Sequence, residues 1–228
     1  MLRVLEPEVM DTAEDAADYD AMDFAAANGL FARDAIALLG GRVGARVLDI
    51  GVGTGQIPEL MLVECMNLEM VAVDLAEAML VVARARLVAA GLSSRCRIEK
   101  MDAKALDLPD ASFDLVACNS MIHHIPDPAA AFREIARVVK PGGAIIVRDL
   151  IRPPTLEDAE RIVERVAGGD NPRQKGLFFD SLRAALEVDE VAAMVRAAGL
   201  SDLRVERCSD RHWTAERAAH WQGARKTP

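Results

Sequence analysis

Aromatic residues and positive charge are both scarce in this sequence. Only 4% of the 228 residues are aromatic, which argues against a base-stacking surface for single-stranded nucleic acid. The 27 lysines and arginines are outnumbered by 36 aspartates and glutamates, so the formal net charge is −9. Nucleic-acid backbones and anionic membranes both attract basic surfaces. We therefore expect no nucleic-acid partner.

Cysteine and long apolar runs are also lacking. The 4 cysteines lie far apart without a CxxC pair, which argues against a disulfide framework or a zinc site. No apolar run approaches the roughly 18 residues that a membrane-spanning helix needs. The acidic N-terminus does not have the basic and apolar regions of a secretory signal. These absences predict a cytoplasmic protein with no membrane span and no bound metal.

What the sequence has in quantity is apolar residues, 51% of the total, in alternating strand and helix patterns. Short apolar runs typical of buried strands are separated by segments with helical spacing. This alternation predicts an α/β fold, in which a mostly parallel sheet has helices on both faces. The predicted strands are 46–50, 69–73, 95–100, 113–118, 144–148, 203–208 and 211–216.

A glycine-rich segment, Val47–Gly55, ends the first predicted strand and opens a helix. In open parallel sheets, ligands bind outside the carboxyl ends of the strands. The spacing is GxGxG rather than the GxGxxG of dinucleotide sites, and the lysine of a phosphate loop is missing. Asp49, placed before the first glycine, would repel a pyrophosphate and attract a cation. The turn therefore favours a cationic ligand without phosphates, and a generic tight turn is the alternative.

Two more aspartates follow predicted strand ends. Asp74 comes after the second strand, where an acid can accept both hydroxyls of a ribose. Asp102 follows the third strand, where its carboxylate can accept from an exocyclic amine such as that of adenine. The alternative for each is a helix N-cap or a solvated loop charge. With Asp49, they predict a ligand with a cationic end, a ribose and a purine, features that S-adenosylmethionine combines.

Three segments of the sequence resemble the core of class I S-adenosylmethionine-dependent methyltransferases. They are VLDIGVGTGQIP, VAVDLAEAML and MDAKALDLPDASFDLVACNSMIHHIPDPAAAFREIARVVKPGGAIIV. They follow the family's order and spacing over residues 46–150. The resemblance implies a three-layer Rossmann-like α/β fold, with a seven-stranded, mostly parallel sheet whose last strand is antiparallel.

The resemblance also implies S-adenosylmethionine as the cofactor and S-adenosylhomocysteine as its product. The cofactor residues that it implies follow the first four strands, in chain order. Asp49, Gly51 and Gly53 line the methionine part, Asp74 holds the ribose hydroxyls with Leu75 and Met79 nearby, Met101, Asp102 and Ala103 frame the adenine, and Asn119 lies near the methyl group.

Two histidines are the candidate catalytic residues. His123 and His124 follow the fourth strand, beside the expected position of the methyl group, where a histidine could deprotonate a hydroxyl or thiol. The alternative is that they order the loop through backbone hydrogen bonds. Asn119-Ser120 is not followed by the Pro-Pro-Tyr/Phe of enzymes that methylate base amines, which disfavours a nucleobase acceptor.

One domain accommodates all of these segments, because the sequence shows no linker. A helix is predicted from Met22 to Leu39, and Tyr19, Met22 and Phe24 either close over the cofactor or pack a surface helix. The predicted parts are an N-terminal helical arm or cover (1–40), a cofactor core (41–150), a helical insertion (151–187) and a C-terminal helix with strands (188–228).

The insertion is where, by the resemblance, an acceptor pocket or a lid is expected. Within it, Gly168–Gly176 is predicted as a flexible loop, because it combines glycines with Pro172. Arg173 and Lys175 in this loop either bring positive charge to an acceptor or belong to a solvated connection.

The function that these features predict is methyl transfer to a small-molecule acceptor by in-line displacement. A sulfonium is already activated, so the protein mainly positions the acceptor and excludes water. One alternative is a regulatory protein that binds S-adenosylmethionine and transfers nothing. A second alternative, an NAD-dependent oxidoreductase, is disfavoured by Asp49 and by the GxGxG spacing.

Overall fold

A computed structural model describes residues 1–9 and 11–220 of the chain. Its strands form one seven-stranded sheet in the order β3-β2-β1-β4-β5-β7-β6. The strands are β1 (Arg46–Ile50), β2 (Glu69–Asp74), β3 (Cys96–Lys100), β4 (Phe113–Asn119), β5 (Val139–Leu150), β6 (Arg204–Arg207) and β7 (His212–Arg217). The helices are α1 (Ala13–Asp20), α2 (Ala25–Leu38), α3 (Gln56–Glu64), α4 (Glu77–Ala89), α5 (Pro128–Val138), α6 (Leu156–Ala167), α7 (Pro172–Ala184) and α8 (Val188–Ala197), with a 3₁₀ turn at Ile122–His124.

The directions of the strands confirm the predicted fold class. Strands β1 to β5 pair in parallel, and β7 pairs antiparallel with both β5 and β6. From β1 the chain moves outward to β2 and β3, and it then returns to β4 on the other side of β1. This reversal places the switch point of the sheet between β1 and β4, where ligands bind in folds of this kind.

Two layers of helices cover the sheet because its central strands are apolar on both faces. Leu48 and Ile50 of β1 belong to one core cluster, which includes Phe132 and Ile135 of α5. Val47 of β1 belongs to a second cluster on the other face, with residues of α2, α3 and α4. The alternation of side chains along one strand thus builds a three-layer molecule.

Strand β5 is longer than the predicted 144–148. It begins at Val139, which pairs with Phe113, and the register shifts before Ala144 pairs with Leu115. The Pro141-Gly142-Gly143 segment therefore lies within the strand, where an irregularity in the ladder accommodates it. At the other end, pairing with β7 extends β5 to Leu150.

The loop predicted at Gly168–Gly176 is too long, because helix α7 already begins at Pro172. Asn171 and Gln174 form a capping box, in which the Asn171 side chain accepts from the Gln174 amide over 3.0 Å. Arg173 and Lys175 are therefore helical residues. The two helices of the insertion pack through a small apolar cluster that includes Val163 and Leu182.

The N-terminal arm contains two helices, α1 and α2, and the predicted start at Met22 falls between them. Ala16 of α1 packs with Ala76 and Met79 beside α4. No helix within residues 1–9 and 11–220 is long and apolar enough to cross a membrane. The predicted C-terminal part, 188–228, includes residues 221–228, which lie outside the described residues.

Candidate active site

The glycine turn after β1 is held by backbone hydrogen bonds to the end of β2. The amides of Gly51 and Val52 both donate to the carbonyl oxygen of Val73, over 2.8 and 3.0 Å. Gly51 has a φ of +80°, and a Cβ placed there would lie 2.5 Å from the Cγ of Met121. This position therefore requires glycine for two separate reasons, its backbone conformation and the close approach of Met121.

Asp74, the last residue of β2, braces the same turn. Its Oδ2 accepts from the Gly53 amide over 2.9 Å, and its Oδ1 accepts from the Ala76 amide over 3.0 Å, just before α4. The N-cap of α4 is Ala76, without a side-chain cap, so the N-cap alternative for Asp74 is wrong, and both of its oxygens keep further lone pairs. Burial raises the pKa of Asp74, although the backbone hydrogen bonds act in the opposite direction.

Asp49 is a buried carboxylate with one oxygen unpaired among the described residues. It is 2% exposed, and its Oδ2 has no hydrogen-bond partner among the described residues. Burial, together with the negative charge of Asp74, raises the pKa of Asp49 to about 7. A buried, unpaired acceptor is costly on its own, so this carboxylate fits a ligand that supplies a positive charge or a donor.

Asp102 is engaged by Lys104. Its Oδ1 accepts from the Lys104 backbone amide over 2.8 Å and lies 2.9 Å from Lys104 Nζ. Burial opposes ionisation, but these hydrogen bonds lower the pKa of Asp102 overall. Lys104 also pairs with Glu8 of the N-terminal arm, which fastens the arm beside the site.

The predicted cofactor residues, with the exception of Asp49, line one pocket at the carboxyl ends of β1, β2, β3 and β4. Asp49 lies in β1 just before the glycine turn and is absent from the pocket wall. The N-terminal arm adds Glu8, Val9 and Tyr19 to the wall, of which only Tyr19 was predicted. The predicted residues in the wall are Gly51, Gly53, Asp74, Leu75, Met79, Met101, Asp102, Ala103 and Asn119.

A second, larger cavity of about 680 Å³ adjoins this pocket. Tyr19, Asn119, Ser120 and His124 line both spaces. Ser120, in the wall that the two spaces share, has a φ of +53°. Residues other than glycine rarely adopt this backbone conformation. We call the first space the cofactor pocket and the second the acceptor cavity, and these names are used below.

The acceptor cavity is lined by apolar residues together with polar and charged ones. The arm and helix α2 contribute apolar residues to it, and so does the insertion. Arg148 on β5 lines this cavity, and it pairs with Asp34 over 2.8 Å. The apolar residues include Met22, Phe24, Leu30, Leu38, Val166, Leu177 and Phe178.

Arg173 and Lys175 are absent from the walls of both spaces. Arg173 pairs with three carboxylates of α1, those of Glu14, Asp15 and Asp18. Lys175 lies 3.4 Å from a carboxylate oxygen of Glu164. The interpretation that these cations reach an acceptor is therefore wrong, and Arg173 instead holds the arm against the insertion.

The two histidines sit in different environments. His123 is buried, and its Nδ1 lies 2.6 Å from Asp149 Oδ1 while its backbone amide donates to Asp149 Oδ2 over 2.9 Å. Burial opposes protonation of His123, but Asp149 raises its pKa overall. Burial and the neighbouring His123 lower the pKa of His124 to about 3. His124 lines both spaces, whereas His123 lines the acceptor cavity alone.

Comparison with known proteins identifies the family. The sequence family described as "Methyltransferase domain" matches residues 48–147, which include the glycine turn, Asp74, Asp102 and both histidines. The chain belongs to the class I S-adenosylmethionine-dependent methyltransferases.

Two curated methyltransferases illustrate the relationship. The chain is 32% identical over 188 residues to the 27-O-demethylrifamycin SV methyltransferase of Amycolatopsis mediterranei (strain S699), covering 81% of this chain and 65% of that protein. It is 33% identical over 157 residues to the ubiquinone biosynthesis O-methyltransferase of Xanthomonas euvesicatoria pv. vesicatoria (strain 85-10), covering 69% and 63%. The chain thus spans just under two thirds of the length of these relatives.

Solved methyltransferase structures share the fold. Phosphoethanolamine N-methyltransferase 2 of Haemonchus contortus, in complex with S-adenosyl-L-methionine, has a TM-score of 0.70 at 20% identity, covering 92% of this chain and 58% of that chain. A SAM-dependent methyltransferase of Aquifex aeolicus has a TM-score of 0.65 at 20% identity, covering 90% and 97%. At these identities the likeness is one of fold.

Proposed function

We propose that the protein transfers a methyl group from S-adenosylmethionine to a hydroxyl group of a small molecule. The observation that carries this proposal is the meeting of two spaces at Asn119, Ser120 and His124. One space has the residues expected for the cofactor, and the other is large and mostly apolar. A methyl group held at the shared wall would face an acceptor in the second space.

The cofactor pocket and the residues behind its wall suit the methionine end and the ribose of S-adenosylmethionine. Asp49, in β1 just before the glycine turn, has a buried oxygen without a partner among the described residues for the cationic methionine end, and Gly51 and Gly53 bring backbone to the pocket wall. Asp74 has lone pairs for the ribose hydroxyls. Bound S-adenosylmethionine supplies a methyl group on a sulfonium, and we infer S-adenosylhomocysteine as the product.

The acceptor cavity supports a small, largely apolar acceptor. Its walls come from the arm, helix α2, the insertion and strands β5 to β7, and helices α6 and α7 of the insertion contribute apolar residues. The names of the two curated relatives indicate methylation on oxygen in rifamycin and ubiquinone biosynthesis. A hydroxyl on a ring or chain that this apolar wall can cover is therefore the acceptor class that we infer.

The chain's own residues would position the acceptor and keep water from it. Tyr19 closes over the shared wall from the arm, and burial raises its pKa to about 12, so it stays neutral and offers a hydroxyl donor. Both histidines line the acceptor cavity, His124 also lines the cofactor pocket, and Asp149 holds His123 in place. Catalytic roles for both histidines remain predictions.

Methyl transfer can be tested with S-adenosylmethionine labelled in its methyl group and a panel of phenols and other hydroxyl compounds. We expect label in the acceptor and equimolar S-adenosylhomocysteine. Phe178→Ala should raise the KM for the acceptor and leave the Kd for S-adenosylmethionine unchanged, because Phe178 lines the acceptor cavity alone. Binding of S-adenosylmethionine without turnover across the whole panel would favour the regulatory alternative.

A further inference from the structure

Three potential metal ligands converge beside the shared wall. Glu6 Oε1 lies 3.5 Å from His123 Nε2 and 3.2 Å from His124 Nδ1. All three ligand atoms lie within 4.8 Å of one another. A tetrahedral zinc ion with bonds of about 2.0–2.1 Å separates its ligand atoms by about 3.3 Å. The two separations from Glu6 Oε1 are close to this value, and the two histidine nitrogens lie within 4.8 Å of each other.

Two of these ligand atoms have no other partner. Glu6 Oε1 and His124 Nδ1 are buried and make no hydrogen bond among the described residues. The side chain of Glu6 is only 7% exposed. Buried polar atoms without partners are rare in native proteins because each costs free energy. At 3.2 Å the two atoms satisfy each other only if a proton lies between them, and a metal ion bound to both is the alternative.

Further contacts orient the ligands, as outer-shell groups do in metal sites. Asp149 Oδ1 lies 2.6 Å from His123 Nδ1, so a neutral His123 donates from Nδ1 and points the Nε2 lone pair at Glu6. With both groups unprotonated, two lone pairs would face each other, and either a proton or a metal ion between them removes this repulsion. The second oxygen of Glu6 accepts from Ser181 Oγ of α7 over 3.3 Å.

The charge of the surroundings also favours a cation. Glu6 and Asp149 contribute two negative charges, and Arg3, which donates to the carbonyl oxygens of His123 and Ile125, contributes one positive charge. The sum of −1 attracts a divalent ion. Both histidines line the acceptor cavity, so an ion held by these ligands would have an open side toward an acceptor.

We propose that Glu6, His123 and His124 form a binding site for a divalent transition-metal ion of the zinc type. The ion would join the N-terminal arm, through Glu6, to the loop after β4, through the two histidines. Binding would therefore hold the arm closed over both spaces. The proposal does not rest on the proposed methyl transfer, because the site is defined by its ligands alone.

The test is a titration of the full chain, freed of metal by a chelator, with Co²⁺ and then Zn²⁺. We expect saturation at one Co²⁺ per chain, visible ligand-field bands of a four- or five-coordinate centre, and displacement by Zn²⁺. Glu6→Gln and His124→Gln should each weaken binding at least tenfold. Amide exchange near Glu6 should slow in wild type when Zn²⁺ is added.

Two control variants test whether a loss of Co²⁺ binding is specific to the three proposed ligands. Glu8→Gln removes a neighbouring arm carboxylate that pairs with Lys104, and His220→Gln removes a histidine elsewhere; both should bind Co²⁺ as wild type does. Thermal unfolding without metal would show whether Glu6→Gln still folds. The proposal is overturned if wild type shows no saturable binding, or if folded Glu6→Gln binds as tightly as wild type.

Discussion

The backbone amide of Gly53 donates a hydrogen bond to Asp74 Oδ2 over 2.9 Å, and so joins the turn after β1 to the end of β2. One carboxylate thereby shapes the glycine turn and faces the same pocket as the turn. The parallel pairing of β1 and β2 puts these two residues side by side, although they are far apart in the sequence. Changes at Asp74 should therefore affect both the ligand and the turn.

Asp74→Ala should weaken S-adenosylmethionine binding by about ten- to a hundredfold, because it removes the ribose acceptor and loosens the turn. Isothermal titration calorimetry measures the effect. Asp127→Ala is a matched control, since that aspartate is 70% exposed and lies outside the cofactor pocket. An Asp74→Ala protein with wild-type affinity would remove Asp74 from the cofactor site.

Gly51→Ala should destabilise the fold by more than Gly91→Ala does. Both glycines have positive φ, +80° and +70°, but a Cβ at Gly51 meets Met121 at 2.5 Å while a Cβ at Gly91 meets nothing within 4 Å. The backbone strain is thus common to both, at about 1 kcal/mol, and the clash adds about 1–3 kcal/mol at Gly51. Denaturant unfolding of the two variants should show this difference, and equal losses would contradict it.

The affinity for S-adenosylmethionine should depend on pH through Asp49. The free protein holds a proton on Asp49 below a pKa of about 7, and a cationic ligand prefers the ionised carboxylate. Affinity should therefore rise by up to about tenfold per pH unit below pH 7 and level off above it. Calorimetry in buffers of different ionisation enthalpy should detect proton release on binding. An affinity that is flat across this range would contradict the role of Asp49.

Asp49 should also make the free protein less stable as pH rises. Its folded pKa of about 7 lies above its unfolded value of 3.8, so folding retains a proton that the unfolded chain loses between these values. The free energy of unfolding should fall by on the order of 4 kcal/mol over that window from this group alone. Asp49→Asn should make the free energy of unfolding less dependent on pH. Denaturant unfolding of wild type and of this variant at several pH values measures the contribution of Asp49.

Arg173→Ala should loosen the arm. Arg173 is the cation that pairs with Glu14, Asp15 and Asp18 of α1, and it is 40% exposed, so the loss is modest, about 1 kcal/mol. Amide exchange in α1 should quicken, and the Kd for S-adenosylmethionine should rise a few-fold because Tyr19 belongs to that helix. Arg161→Ala is the control, because it breaks only the exposed pair between Arg161 and Asp158 within α6. It should change neither the amide exchange of α1 nor the Kd for S-adenosylmethionine.

The sheet and most of the cofactor pocket could be predicted from the sequence, because both depend on local patterns. Strand β1 is a short apolar run between polar residues, and it forms where the pattern predicts. The acids at strand ends fall at one edge because parallel strands share a direction. The contact between Asp102 and Lys104 was not predictable, because it depends on where the following loop places the Lys104 side chain.

The rest of the site depends on contacts between distant segments. Glu6 reaches the histidines only when the arm folds back over the sheet edge, and Asp149 reaches His123 only through the pairing of β4 with β5. No local pattern predicts either contact. The start of α7 was predictable, because Asn171-Pro172 has the residues of an N-cap and a first helical position.

The most direct test of the account is a calorimetric titration of the chain with S-adenosylmethionine, S-adenosylhomocysteine and NAD in parallel, on wild type and on Asp49→Ala. We predict saturable 1:1 binding of both sulfur ligands, no binding of NAD, and loss of S-adenosylmethionine affinity in the variant. Saturable binding of NAD with no binding of either sulfur ligand would contradict the account.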